Sequence, residues 1–190
     1  MDASTQRQVG GRAGLTVLAL LSIVGRTASA PPDLFLGVQH DSPKEIARAL
    51  KAGAKIDRRE AGSGQTPLMK AVLMGKLQAV KFLLDRGADP SVPEKDGYTP
   101  MHGAGFQGRA EITRVLLAHG LDVNDIHTDG HGPVQRAMWG SRPGHTETAR
   151  IMLEAGAKLT GNERPSTPAT IALLKEWKGK AGAKAEKTEL

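Results

Sequence analysis

Two stretches of this chain carry residue types that do chemistry in other settings. Asp125, His127, Asp129 and His131 alternate with other residues along one segment. If that segment is extended, the four side chains share a face, where imidazole and carboxylate together can hold zinc, and His102 stands one turn into a predicted helix. Gly103-Ala104-Gly105-Phe106-Gln107-Gly108 has the glycine spacing of a loop that cradles a dinucleotide pyrophosphate. Serine, threonine, histidine and acid residues are present in number, so a hydroxyl nucleophile with its base and acid is a third candidate chemistry.

Each candidate needs a context that the neighbouring residues withhold. A dinucleotide loop follows a buried strand and opens a helix, whereas Thr99-Pro100 opens a helix that already contains these glycines. An acidic Asp-Gly loop is ordinary solvated surface, and nothing orients the imidazoles as a metal site requires. No Gly-x-Ser-x-Gly elbow surrounds any serine. The chain has no cysteine, so disulfides, thiolate metal sites and cysteine nucleophiles are excluded. The expectation is a protein that is not an enzyme, with no catalytic residues, no metal site and no cofactor.

The elements that position these residues come from a phrase that returns every 33 to 35 residues. It reads Gln65-Thr66-Pro67-Leu68-Met69-Lys70-Ala71, Tyr98-Thr99-Pro100-Met101-His102-Gly103-Ala104, His131-Gly132-Pro133-Val134-Gln135-Arg136-Ala137 and Ser166-Thr167-Pro168-Ala169-Thr170-Ile171-Ala172. The threonines are placed to cap a helix whose first residue is proline. About twenty residues on, a second phrase ends an apolar helical pattern at Gly53, Gly87, Gly120 and Gly156, where glycine takes the left-handed cap. Turn-rich polar stretches follow. Each unit therefore reads helix, short turn, helix, extended loop, and a period of this size marks a stack of units that bury their apolar faces on one another.

These residues resemble the ankyrin repeat, whose family phrase is Gly-x-Thr-Pro-Leu-His-x-Ala with a later Leu-Leu-x-x-Gly and Ala-Asp-Val-Asn. Gly97 to Asn124 matches most closely, with Thr99, Pro100, His102, Ala104, Gly108, Leu116, Leu117, Gly120, Asp122, Val123 and Asn124 in phase. The resemblance covers roughly residues 34 to 174 and implies an all-α solenoid: a degenerate N-terminal cap repeat at 34–64, full repeats at 65–97, 98–130 and 131–165, and a C-terminal cap helix at 166–178. Residues 179–190 read as a disordered basic tail.

Three departures stand out. Met69 and Gln135 replace the family histidine, and Gly132 replaces the capping threonine, at a cost of a few tenths of a kcal/mol. The third full repeat also carries about three extra residues around Gly140 to Gly144, so it is expected to be the least stable full unit.

The first thirty residues stand apart from the repeats. Arg7 and Arg12 precede an uncharged apolar run from Leu15 to Val24, followed by Gly25-Arg26-Thr27-Ala28-Ser29-Ala30. This is the pattern of a secretory signal peptide cut after Ala30. The apolar run is about half as long as a membrane-spanning helix requires. Removal of three basic residues and one acidic one lowers the net charge from +6 to +4. The expectation is a small exported bacterial ankyrin repeat protein, periplasmic or secreted, with no membrane-integral segment in the mature chain and monomeric when unbound.

In the ankyrin family the concave side is built from loop tips and the exposed face of each first helix. By that resemblance Leu73 and Met74, Phe106 and Gln107, and Trp139 point into the groove, with Lys95, Asp96, Tyr98, Thr128, Asp129 and His131 at the tips. Leu73, Phe106 and Trp139 lie 33 residues apart, and stacking aligns them as one apolar stripe. Aromatic residues on an exposed concave face suit interface anchors. The implied function is capture of a protein partner, in one version as an immunity or accessory protein of a secreted or periplasmic enzyme. The rival is an envelope-associated structural or stress-related protein that contacts membrane or cell wall through the basic tail. Nucleic acid is not an expected partner.

Overall fold

The structure, a computed structural model, describes residues 32–161 and 163–186. The signal peptide expected at 1–30 and the last four residues lie outside them. The described residues form α1 (Leu34–Gln39), α2 (Pro43–Lys51), α3 (Pro67–Met74), α4 (Leu77–Asp85), α5 (Pro100–Gln107), α6 (Ala110–Ala118), α7 (Pro133–Trp139), α8 (Pro143–Glu154) and α9 (Pro168–Glu186), with no strand among them.

The helices sort into two layers, as the period requires. The first helices α1, α3, α5 and α7 pack in sequence against one another, and so do the second helices α2, α4, α6 and α8, while α9 packs on α8. Between the layers runs one continuous core in which Leu68, Leu83, Met101, Leu116, Met138 and Leu153 are fully buried. Burial of each such side chain favours folding by roughly 1.5–3 kcal/mol.

Each second helix stops where the glycines demand it. Gly53, Gly87, Gly120 and Gly156 all take positive φ. The next amide reaches back to the helix, as Ala88 N–H does to Leu83 O at 3.0 Å and Ala157 N–H to Met152 O at 2.9 Å, which satisfies carbonyls the helix end would otherwise orphan. The loops turn at hairpin-like tips closed by Glu60 N–H to Gln65 O, Glu94 N–H to Tyr98 O and His127 N–H to His131 O at 2.8, 2.9 and 3.1 Å. Successive tips are stitched by Lys95 N–H to Ser63 O at 3.0 Å and by a 2.8 Å contact between His127 Nε2 and Asp96 O.

The caps differ from expectation at three places. The N-terminal unit keeps its first helix although it lacks Thr-Pro, because Asp33 Oδ1 accepts from Phe35 N–H at 3.0 Å and starts α1. Thr66 and Thr167 cap Met69 N–H and Thr170 N–H, both at 3.1 Å, as the sequence suggests. Thr99 caps no amide; its hydroxyl is drawn to His102 and Asp125. At the C-terminal end, α9 runs on to Glu186, past the boundary expected at 178, so residues 179–186 continue a helix where a disordered tail was expected. The alanines and lysines of this stretch have good helix propensity, and only two glycines, Gly179 and Gly182, oppose it.

The extra residues of the third full repeat are absorbed at the start of α8, which is 12 residues long against 9 for α4 and α6. They place His145 where Arg109 stands one repeat earlier. Arg109 Nη2 donates to Leu73 O at 2.8 Å, at the end of α3. His145 Nε2 lies 3.0 Å from Phe106 O, near the end of α5. Both side chains lie against a glycine, Gly75 and Gly108, at which a Cβ would come within 2.8 Å of them. A donor or cation at the last carbonyls of a helix suits its dipole, and here the same contact bolts the second full repeat to the first and the third to the second.

Gly132 and Gln135 prove to be one device. The Gln135 side chain accepts from Gly132 N–H at 3.0 Å, its Nε2 lies 3.3 Å from Thr160 Oγ1, and both residues are buried. A Cβ at position 132 would come 3.2 Å from the Gln135 amide oxygen and 2.9 Å from Ile126 Cδ1. A side chain at 132 would therefore crowd Ile126 and the glutamine amide, which would have to give way. Gln135→Leu leaves a buried N–H without its acceptor and is expected to lower stability by about 1–3 kcal/mol in urea unfolding. Gly132→Thr alone is expected to destabilise through crowding, and less so in combination with Gln135→His. Additive losses in the double variant would refute the coupling.

Candidate functional site

The concave face is formed by the first helices and the hairpin tips, and one of its cavities follows from one missing side chain. Lys70, Gly103 and Arg136 hold the same place in successive repeat phrases. Lys70 pairs with Glu60, and Arg136 pairs with Asp129, each of these acids coming from the loop tip that precedes the cation's helix. Gly103, between them, reaches nothing. A cavity of about 250 Å³ opens there, lined by Gln65, Met69, Leu73, Glu94, Asp96, Tyr98, His102, Gly103, Phe106 and Arg136. Met69 Cε and Leu73 Cδ2 would lie 3.2 Å from a Cβ at 103, so even alanine would begin to fill it.

Phe106 stands at the wall of this cavity with 60% of its surface exposed. On its other side lies a second cavity of about 290 Å³, lined by Phe106, Gln107, Arg136, Trp139, Gly140, Ser141, Arg142 and His145. Arg136 borders both cavities. Its guanidinium carbon lies 5.0 Å from the Tyr98 ring centre and 4.7 Å from that of Trp139, distances at which a cation is attracted to an aromatic ring. Its Nη2 donates to Asp129 Oδ2.

The candidate residues thus divide. Leu73, Asp96, Tyr98 and Phe106 meet around the first cavity, and Phe106, Gln107 and Trp139 around the second. Tyr98 and Trp139 are half-buried and already packed: Tyr98 stacks on His127 at 3.9 Å, and Trp139 meets His131 edge to face at 4.8 Å. Phe106 alone of the three aromatics is presented to solvent. Met74 is exposed at the end of α3 and lines neither cavity, as is Lys95 at its tip. Thr128 faces a different cavity beside His119 and Asp122. Asp129 and His131 support Arg136 and Trp139 from behind. Arg136 was not among the candidates; its signal in the sequence is a cation at the register of Lys70, beside an aromatic three residues on.

Of the loop residues that could hold zinc, His127 Nδ1 and His131 Nδ1 lie 3.2 and 3.5 Å from Asp129 Oδ1, and Asp125, His127 and Asp129 are each engaged by other partners. Thr99 Oγ1 donates to Asp125 Oδ2 at 3.1 Å and lies 2.9 Å from His102 Nδ1. His127 Nε2 is taken by Asp96 O, and Asp129 by Arg136. No group of three ligating side chains gathers among the described residues. The glycine at 105 serves packing: a Cβ there would lie 2.3 Å from Pro133 O, so it allows α5 and α7 to approach.

Electrostatics follow the packing. Burial pushes Asp129 up, but hydrogen bonds from Arg136, His127 and the His131 N–H outweigh it and hold the carboxyl well below the ordinary range. Burial lowers His102, with Arg136 and His127 acting in the same sense and Asp125 in part opposing them. The unfolded chain therefore takes up a proton at His102 before the folded chain does. That contribution to stability is present above the ordinary histidine value of about 6.5 and is lost as pH falls below it. Urea midpoints measured from pH 8 to pH 5 are expected to fall less steeply in His102→Gln than in the parent. Parallel profiles would contradict the assignment.

Residues 34–127 match the family model described as Ankyrin repeats (3 copies). The human 2-5A-dependent ribonuclease is 35% identical over 75 residues, which is 38% of this chain and 10% of that protein. The chain thus spans about a tenth of that relative's length. Among the described residues no helix is long and apolar enough to cross a membrane. Ankyrin repeats are generally protein–protein interaction modules. The match over residues 34–127 and the two-layered stack of helix pairs together give the described residues the fold of an ankyrin-repeat solenoid.

Proposed function

We propose that this chain is a non-enzymatic binding module that takes a protein partner into the concave groove centred on Phe106, and that it acts after export to the periplasm as an immunity or accessory protein of a secreted enzyme. The observation that carries the binding reading is the exposure of Phe106 on the wall of a cavity opened by Gly103. An aromatic ring left in water beside an unfilled apolar slot is the usual form of an interface anchor. Tyr98, Leu73 and Met69 complete the slot, and Glu94 and Asp96 give it a polar rim.

The export reading rests on the basic start, apolar run and Ala-x-Ala ending of residues 1–30. It predicts that protein recovered from the periplasm or medium begins at Pro31. Recovery of the full-length chain from the cytoplasm would refute it.

Phe106→Ala is expected to leave urea stability within about 0.5 kcal/mol, as for an exposed position, and to weaken partner capture by tenfold or more. Trp139→Ala is expected to cost stability as well, since it removes a ring packed on Arg136 and His131. Partner recovery by Phe106→Ala at the parental yield would refute the groove.

A further inference from the structure

The second concave cavity differs from the first in charge. Glu94 and Asp96 line the first; the second has no carboxylate, although Arg136, Arg142, Ser141, Gln107 and the Trp139 indole line it. Arg136 is 8% exposed, and its hydrogen bonds to Asp129 and Tyr98 both run through Nη2. Its Nε, like the Trp139 Nε1, is a buried donor with no hydrogen-bond partner among the described residues. Arg142 Nη2 lies 3.2 Å from Gln107 Oε1 and 3.5 Å from Gln107 O. Arg142 is also the N-cap of α8 and offers no side-chain acceptor to that helix end.

A buried donor without an acceptor costs about 1–3 kcal/mol, and the two residues that carry such donors, Arg136 and Trp139, both line this small cavity beside the exposed Arg142. The charge-assisted partner that suits a guanidinium edge is a planar carboxylate. Asp129 already offsets one charge of the pair, and the acids of the first cavity stand across Phe106, so the surroundings oppose a polyanion and suit a single negative group.

We infer that the cavity between Phe106 and Arg142 binds one carboxylate side chain of the protein partner, held by Arg136, Arg142 and the Trp139 indole, with an apolar neighbour of that residue laid on Phe106. This rests on the groove reading and names the chemistry the groove selects. The apolar neighbour fixes the position and the carboxylate fixes the identity.

The test uses acetyl-Phe-Glu-amide and its Gln counterpart, titrated into the 15N-labelled chain while the Trp139 indole N–H and the amides of Ser141 and Gly144 are followed. The Glu peptide is expected to shift these resonances saturably, with the Gln peptide at least about tenfold weaker and rising salt weakening the Glu peptide alone. Arg142→Gln, at an exposed position, is expected to reduce the Glu affinity about fivefold or more and leave the Gln peptide unchanged. Trp139→Phe, which keeps a ring and removes the N–H, is expected to weaken the Glu peptide with the fold retained. Equal shifts from the two peptides, no shift from either, or indifference to Arg142→Gln overturns the inference. The same shifts from inorganic phosphate at equal concentration would overturn the assignment to carboxylate. Where these outcomes are negative and Phe106→Ala still abolishes partner capture, the groove stands and its charge preference falls. If Phe106→Ala leaves capture intact, the groove itself falls.

Discussion

Each unit of this chain buries its apolar face only against the next unit, and the contact that fixes their spacing is a side chain driven into the end of the preceding first helix. Arg109 reaches the carbonyl of Leu73 against Gly75, and His145 reaches that of Phe106 against Gly108. The register of the stack follows from these bolts, and so does the concave face, because they hold the ends of α3 and α5 at the groove. The three additional residues of the third repeat are tolerated because they lengthen α8 by a turn without displacing the bolt. Stability in such stacks is a sum of unit and interface contributions, so the bolt is where an insertion would otherwise be costly.

The groove is then a local exception within a regular stack. Two of three consecutive repeats place a cation at the same register and satisfy it with an acid from the loop tip just before its helix, and the middle repeat places a glycine there. One omitted side chain opens the first cavity and exposes Met69, Leu73 and Phe106 to it. Arg136, pinned by Asp129 and flanked by Tyr98 and Trp139, separates that cavity from the carboxylate-free one beside it. The aromatic residues that make the groove are therefore of two kinds. Tyr98 and Trp139 hold Arg136 in place, and Phe106 faces outward. A cation between rings, with one edge unused, is a rigid element, and rigidity lowers the entropic cost of any contact it makes.

The repeat phrases made the helix pairs, their order and the glycine stops legible, because each depends on residues within a few positions of one another. What they concealed lies between units. Gly132 and Gln135 read as two separate losses against the family phrase, and only the packing shows that the glutamine side chain takes up the Gly132 N–H. Asp33 capped a helix that the missing Thr-Pro had hidden. Thr99 has the sequence of a cap, but a neighbouring carboxylate competes for its hydroxyl from 26 residues away. Trp139 shares the 33-residue spacing of Leu73 and Phe106, yet its neighbours His131 and Arg136 cover it, which no spacing could reveal. Arg136 itself was overlooked because a lone arginine in a helix phrase reads as solvated surface until the tips fold over it.

The central claim is that the face presenting Phe106 is the one a protein partner occupies. Incorporation of the photoreactive analogue benzoylphenylalanine at position 106 keeps an aromatic ring at the groove. The same substitution at Lys81, exposed on the second helix α4, marks the opposite layer. Irradiation in cells followed by mass spectrometry of the adducts is predicted to give one discrete protein adduct from position 106 and none from position 81. Adducts from position 81 with none from position 106 would contradict the account.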